Sequence, residues 1–363
     1  MKTRLNTLFI VIVATFTMST LSGNLMAAKL TKSYSKEFAV DSKTHMYISN
    51  RYGHVQIENW EKDAIAIDVE VLVEHRRHDK AEQMLQAIGI TLVQKDNEVR
   101  GITEIDERLM KSVNSFSFGS SSKEMQINYS IRMPKSVNSV LKNKYGDMFI
   151  DELTGHTDID LKYGNLKANR IVYGNQNALN NLKLGYGNAS IDEVSWMNFD
   201  IKYANLSVEQ GQALAVVSKY SKLNFNSLNS LVLESKYDNV RVGTIANIVA
   251  QSGYTHYRIR RLTKSLSIES RYGDVKLDDV ASSIQTISFD GAYASINAPI
   301  PESVSYHIDC EVSYGGFYYN SAVASVNRVE SNNKVRVYGT VGQASNPNTK
   351  ITISVKYGGV RLE

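Results

Sequence analysis

Cysteine is almost missing from this chain: Cys310 is the only one in 363 residues, so no intramolecular disulfide can hold the fold together. Stability must come from packing and backbone hydrogen bonds, and Cys310 itself reads as a small buried hydrophobe. Histidine is sparse and scattered. His75 and His78 sit three apart with no third ligand nearby, so no metal site is expected. The sequence shows no nucleophile elbow, phosphate loop or dinucleotide-binding fingerprint, and no cofactor is expected. Charge is nearly balanced as well. The formal net charge of +4 falls to +2 once Lys2 and Arg4 are removed with a segment, residues 1–28, that has no acid. Such a balance predicts no nucleic-acid partner.

The first 28 residues have their own pattern. Lys2 and Arg4 precede an apolar run from Leu8 to Phe16, and Ala27 and Ala28 offer small residues for cleavage. This is the layout of a secretory signal peptide, too short in its apolar part to span a bilayer comfortably. Export to the periplasm, the outer-membrane surface or the medium is therefore expected, with no transmembrane span after cleavage. No cysteine near the cleavage site could carry a lipid.

From about Leu141 the chain repeats. Tyrosines fall at 145, 163, 186, 203, 220, 237, 254, 272, 293, 314 and 357, and from 186 to 254 the spacing is 17 residues four times running. The flanking pattern repeats too: Leu231 to Val242, Ile248 to Ile259 and Leu266 to Leu277 each alternate apolar and polar residues on both sides of the tyrosine. Period-2 alternation means strands with one buried face. A glycine followed by Asn or Asp comes after many of the tyrosines, as in Tyr145-Gly146-Asp147, and marks a corner where positive φ is tolerated. A unit this short cannot bury its apolar face alone, so successive units must stack about 4.8 Å apart, with equivalent strands paired in parallel. The predicted fold class is all-β, a parallel β-solenoid or β-helix of about 17-residue rungs. The 43-residue gap from 314 to 357 is expected to hold one or two degenerate rungs around Val335 to Val341.

Residues 29–140 lack that period but alternate at Phe38 to Val40, Met46 to Ile48, Val55 to Ile57 and Ile65 to Val73. A short helix is predicted from His78 to Ala87, and a polar loop from Lys111 to Lys123 containing Phe116 and Phe118. The expected organisation is a signal peptide (1–28), a β-rich N-terminal cap domain (29–140) covering the first rung, and the repeat domain (141–363).

Phe38-Ala39-Val40, the run from Ile48 to Ile57 through Tyr52-Gly53-His54, Trp60, the Ile65 to Val73 strand and the repeated Lys-Tyr-Gly-Asn/Asp units together carry a family likeness. This layout resembles the bacterial putative-adhesin family of unknown function, a β-solenoid group common in Bacteroidetes. The resemblance implies a secreted or envelope location and supplies no catalytic residues. Ala204, Ser221, Thr255 and Ala294 depart from it by replacing the glycine.

Two surface features carry the functional expectation. Basic residues precede the tyrosine at Lys144, Lys162, Lys202, Lys219, Lys236, Arg271 and Lys356, an outward cationic stripe if the tyrosines point inward. Its readings are a binding surface for an anionic glycan or acidic envelope partner, or a solvated face that discourages edge pairing. Tyr145, Tyr163, Tyr186, Tyr203, Tyr220, Tyr237, Tyr254 and Tyr272 read as a structural ladder, stacked at the core or corner on the parity of Leu233 and Ser235. Acids cluster at Asp147, Asp151, Glu152, Asp158 and Asp160, and at Asp274, Asp278 and Asp279. Rungs without long loops leave little to build a catalytic cleft from. The expectation is a non-enzymatic envelope or secreted scaffold, adhesin-like, facing a glycan or envelope protein. The alternatives are a polysaccharide-active enzyme and an envelope sensory component.

Overall fold

The computed structural model describes residues 27–112, 125–175, 179–320 and 324–363. Among these the chain is all-β: a long, unclosed sheet of mostly parallel strands, with two short helices. It divides into two compact units, the first ending at Asn169 and the second starting at Arg170. The expected signal segment lies outside the described residues apart from Ala27 and Ala28, and so does the stretch with Phe116 and Phe118. Among the described residues no helix is long and apolar enough to cross a membrane.

In the first unit two runs of strands form. One is ordered Ala28–Ala39, Ala64–His75, Met125–Met133, Val55–Asn59, Met148–Leu153, its first two pairings antiparallel and the rest parallel. The other is ordered Ile88–Lys95, Glu98–Ile105, His45–Arg51, Asn138–Lys144, Thr157–Lys162, with only the first pairing antiparallel. Alternation decides which side chains meet: Met46, Ile48, Val55, Ile57, Ile127 and Ile131 are all buried. Polar bonds join the runs. The Asn50 amide donates to the Ile127 carbonyl at 2.9 Å, and the Thr103 hydroxyl donates to Asn50 Oδ1 and lies 3.0 Å from the Tyr129 hydroxyl. The predicted helix forms at His78–Gln86 and buries Ala81 and Met84. A second helix, Glu107–Ser112, was too short to show a period, and its end occupies the start of the expected polar loop. Asp106 caps it, its carboxylate accepting from the N–H groups of Arg108 and Leu109.

The second unit contains the regular repeat. Asn188–Lys202, Asn205–Lys219, Lys222–Lys236 and Asn239–Gly253 are 15-residue strands, each paired in parallel with the next, and His256–Arg271 continues the series. Burial follows sequence parity with two breaks. In Lys222–Lys236 the buried positions are Leu223 and Phe225, then Leu228, then Leu231, Leu233 and Ser235, so the chain bends on each side of Leu228. Its equivalents Ile245, Leu262 and Val280 are also buried. In-register pairing converts these positions into continuous files. Leu214, Leu231, Ile248, Leu266, Ile287, Ile351 and Ile308 form one, and each fully buried aliphatic contributes roughly 1.5–3 kcal/mol. Cys310 lies in the neighbouring file next to Ile353, and burial pushes its thiol pKa up, consistent with a packing role.

The C-terminal region corrects the sequence reading. Thr349–Lys356 is inserted between Thr286–Ala292 and Tyr306–Ser313, parallel to both. The expected degenerate rung around Val335 to Val341 is instead one arm of an antiparallel hairpin, Ala324–Ser331 with Lys334–Val341. That second arm also pairs antiparallel with Tyr306–Ser313. The cause is local: Asn332 and Asn333 make a two-residue turn with Asn332 at φ 50°, which sends the chain straight back.

Candidate functional site

The corner after each inner strand is built by the tyrosine itself. Twelve tyrosines, from Tyr52 to Tyr357, have φ between 52° and 64°, whereas the following glycines do not enter the left-handed region. Gly146 is needed for a different reason: a Cβ there would collide with the Gly53 carbonyl in the neighbouring strand run. Where Ala204, Ser221, Asp238 or Thr255 replaces the glycine, its side chain turns inward and is buried.

This geometry overturns the inward parity expected for the tyrosines. A left-handed residue breaks the strict alternation of the strand. Ser235 points in, Lys236 points out, Tyr237 also points out, and Asp238 points in again. Ten of the rings, from Tyr163 to Tyr357, are 40–54% exposed. They still stack. In the first unit Tyr52, Tyr145 and Tyr163 follow one another at 5.1 and 5.0 Å. In the second unit Tyr186, Tyr203, Tyr220, Tyr237, Tyr254, Tyr272 and Tyr293 continue at 4.7–5.1 Å, with planes within 10°. Tyr357 then stacks on Tyr293, and Tyr314 on Tyr357, the spatial order of their strands and not their sequence order. Because ring faces are covered by neighbouring rings, the ladder presents edges and a row of hydroxyls.

Within each unit the basic residues therefore stand beside the tyrosines on an outer face. In the first unit Arg51, Lys144 and Lys162 are register partners, and Lys144 Nζ lies 4.7 Å from the Tyr145 ring centroid. Arg51 belongs to the file but was missed, because its strand lies outside the 17-residue series. In the second unit the file runs Gly185, Lys202, Lys219, Lys236, Gly253, Arg271, Ala292, Lys356, Ser313. Its charges are unequally compensated. Lys202 pairs with Asp200 at 3.0 Å, and Arg271 with Asp290 at 2.7 Å and Glu269 at 3.1 Å. Lys219 and Lys236, adjacent and exposed, have no ion-pair partner among the described residues.

The acidic clusters are engaged elsewhere. Asp147 accepts from the Asn165 backbone and amide, Asp151 from Asn169, and Glu152 pairs with Lys135. Asp278 and Asp279 pair with Arg258 and Arg261, and Asp274 accepts from the Ser295 N–H. Among the described residues no group of three or more His, Cys, Asp and Glu side chains is placed to hold a metal ion. Asn205 donates to Asn188 Oδ1 at 2.7 Å beyond the corner, and Lys222 takes the next position in that row.

The tyrosine file has an inner counterpart. Asp238 is buried, yet its carboxylate accepts from the Ser235 hydroxyl at 2.6 Å and the Ser221 N–H at 2.7 Å. Burial raises its pKa above the ordinary carboxylate value despite those bonds. The nearby Tyr257 fills the file position held by Leu223 and Val240 and is buried there.

Against known proteins, no family model matches the sequence and no curated protein does. Solved structures do show likeness. A putative cell adhesion protein from Clostridium sporogenes aligns with 92% of this chain and 99% of its own, at 10% identity and a TM-score of 0.23. A putative adhesin from Parabacteroides distasonis aligns with 73% of this chain and 96% of its own, at 9% identity and 0.35. A putative lipid binding protein from the same organism covers 73% and 96%, at 10% identity and 0.34. Identities and scores of this size leave function to be argued from the chain's own surface.

Proposed function

We propose that the chain is an exported, non-enzymatic scaffold whose repeats form a β-solenoid of about 17-residue rungs and whose corner surface binds an anionic glycan. The adjacent, uncompensated ammonium groups of Lys219 and Lys236 beside the exposed tyrosine edges carry this reading. Charges repeating at the strand spacing suit a linear polymer with regularly spaced carboxylates, and tyrosine hydroxyls offer hydrogen bonds to its neutral groups. The signal-peptide layout of residues 1–28 supports an envelope or extracellular location, where such polymers occur. Against catalysis stands the engagement of Asp147, Asp151, Glu152, Asp274, Asp278 and Asp279 in structural bonds.

The test is a glycan array probed with the mature chain at two salt concentrations. Acidic polysaccharides should be retained at low salt and released as salt rises, and Lys219→Gln with Lys236→Gln should weaken retention. Binding confined to neutral glycans, or unaffected by the double substitution, would sink the stripe as the binding surface.

A further inference from the structure

A second basic feature lies past the corner, on the outer face of the following strand segments. Asn224, Arg241 and Arg258 are register partners there, so their side chains stand in one row. Two residues further along each segment the row reads Asn226, Gly243, Arg260. Gly243 lets its strand lie close to the Asn226 carbonyl, with which a Cβ would collide, and with Asn224, Asn226, Arg241, Arg258 and Arg260 it lines an open groove of about 390 Å³.

The charges lining it are not matched. Arg258 is held by Asp278 at 3.2 Å, but Arg241 and Arg260 have no ion-pair partner among the described residues. Glu209 also lines the groove, with no ion-pair partner among the described residues. Two free guanidinium forks on one side select a planar, bidentate anion, which a carboxylate supplies. A lone carboxylate and two amides nearby disfavour a highly charged anion and favour hydroxyl donors. One anionic carboxylate carried on a hydroxylated ring meets all of these conditions.

We propose that this groove binds an acidic sugar residue, its carboxylate on Arg241 and Arg260 and its hydroxyls toward Glu209, Asn224 and Asn226. The inference rests on the glycan-binding reading and names where a single uronate-type unit would be recognised. The stripe attracts the polymer through charge, whereas the groove reads one unit by shape and hydrogen bonding.

The experiment titrates the mature chain with a tetramer of galacturonic acid, the neutral galactose tetramer and sodium sulfate, following heat and amide chemical shifts. The galacturonate should bind and the galactose should not, with shifts centred on Asn224, Arg241 and Arg260. Arg241→Gln with Arg260→Gln should weaken galacturonate binding about tenfold or more, the cost of removing charge-assisted bonds. Lys219→Gln with Lys236→Gln should weaken it by less than about threefold, as for exposed charges at a distance. All four positions are exposed, so melting curves should show both variants folded. Binding that survives loss of the arginines but is lost with the lysines would overturn the groove and leave the stripe standing. Sulfate competing as well as galacturonate would overturn the sugar and leave a general anion site. No binding of any acidic glycan by the wild-type chain would overturn both readings.

Discussion

At the scale of single residues, the corner tyrosine combines a cost and a gain that can be measured separately. A non-glycine residue in the left-handed region costs roughly 1–2 kcal/mol, and each aromatic pair contributes roughly 0.5–1.5 kcal/mol. Tyr237 has a stacked neighbour on each side, 4.9 and 4.8 Å away. Tyr237→Ala keeps the backbone cost and loses both stacks, whereas Tyr237→Gly loses the stacks but relieves the backbone. The alanine variant should therefore be less stable than the glycine variant by about 1 kcal/mol in urea unfolding; the reverse order would show that the corner is not strained. The position of these tyrosines was legible in the sequence but their direction was not. Alternation from Leu233 to Ser235 points the next odd residue inward, and only a left-handed φ, which no local pattern announces for tyrosine, turns it out. Asp238 offers a second measurement. Burial raises its native pKa above its ordinary value of 3.8, so the native state binds the proton more tightly than the unfolded chain. The stabilisation this gives is complete below that value and is lost as pH rises through the raised native pKa. Asp238→Asn removes that loss, so the stability of the variant relative to wild type should increase from pH 3 to pH 7. A relative stability that is flat or falls over that range would contradict the burial argument.

At the scale of elements, the central repeats were readable because each signal was local: alternation gave the strands and the 17-residue interval their parallel register. The C-terminal order was not readable, because it depends on which strand fills a gap in space. Tyr314 precedes Tyr357 in sequence, yet Tyr357 lies against Tyr293. Thr349–Lys356 is therefore internal, and its loss should not resemble removal of a terminal repeat. Truncation after Gln343 deletes Thr349–Lys356 and leaves Thr286–Ala292 and Tyr306–Ser313 without their shared partner. Two exposed edges in one domain invite aggregation. The truncated chain should lose its cooperative thermal transition and appear in the insoluble fraction. A soluble product with a transition only slightly lowered would refute the strand order.

At the scale of the whole molecule, the repeats of the second unit contact chiefly their neighbours in the stack, so stability should vary along it as a sum of intrinsic and nearest-neighbour terms. Asn205–Lys219, Lys222–Lys236 and Asn239–Gly253 are paired along both edges, and their aliphatic files continue on either side. Ala324–Ser331 is different: it pairs along one edge with Lys334–Val341, and most of its residues are exposed. Opening the central repeats requires separating two buried interfaces, while opening the hairpin strand requires separating one that buries little. Amide hydrogen exchange of the native protein should therefore be slowest from Asn205 to Gly253 and fastest along Ala324–Ser331, with Thr349–Lys356 near the slow end because it too is held on both sides. Exchange at Thr349–Lys356 as fast as along Ala324–Ser331 would mean that the C-terminal strand frays like an end, against its insertion between two parallel partners.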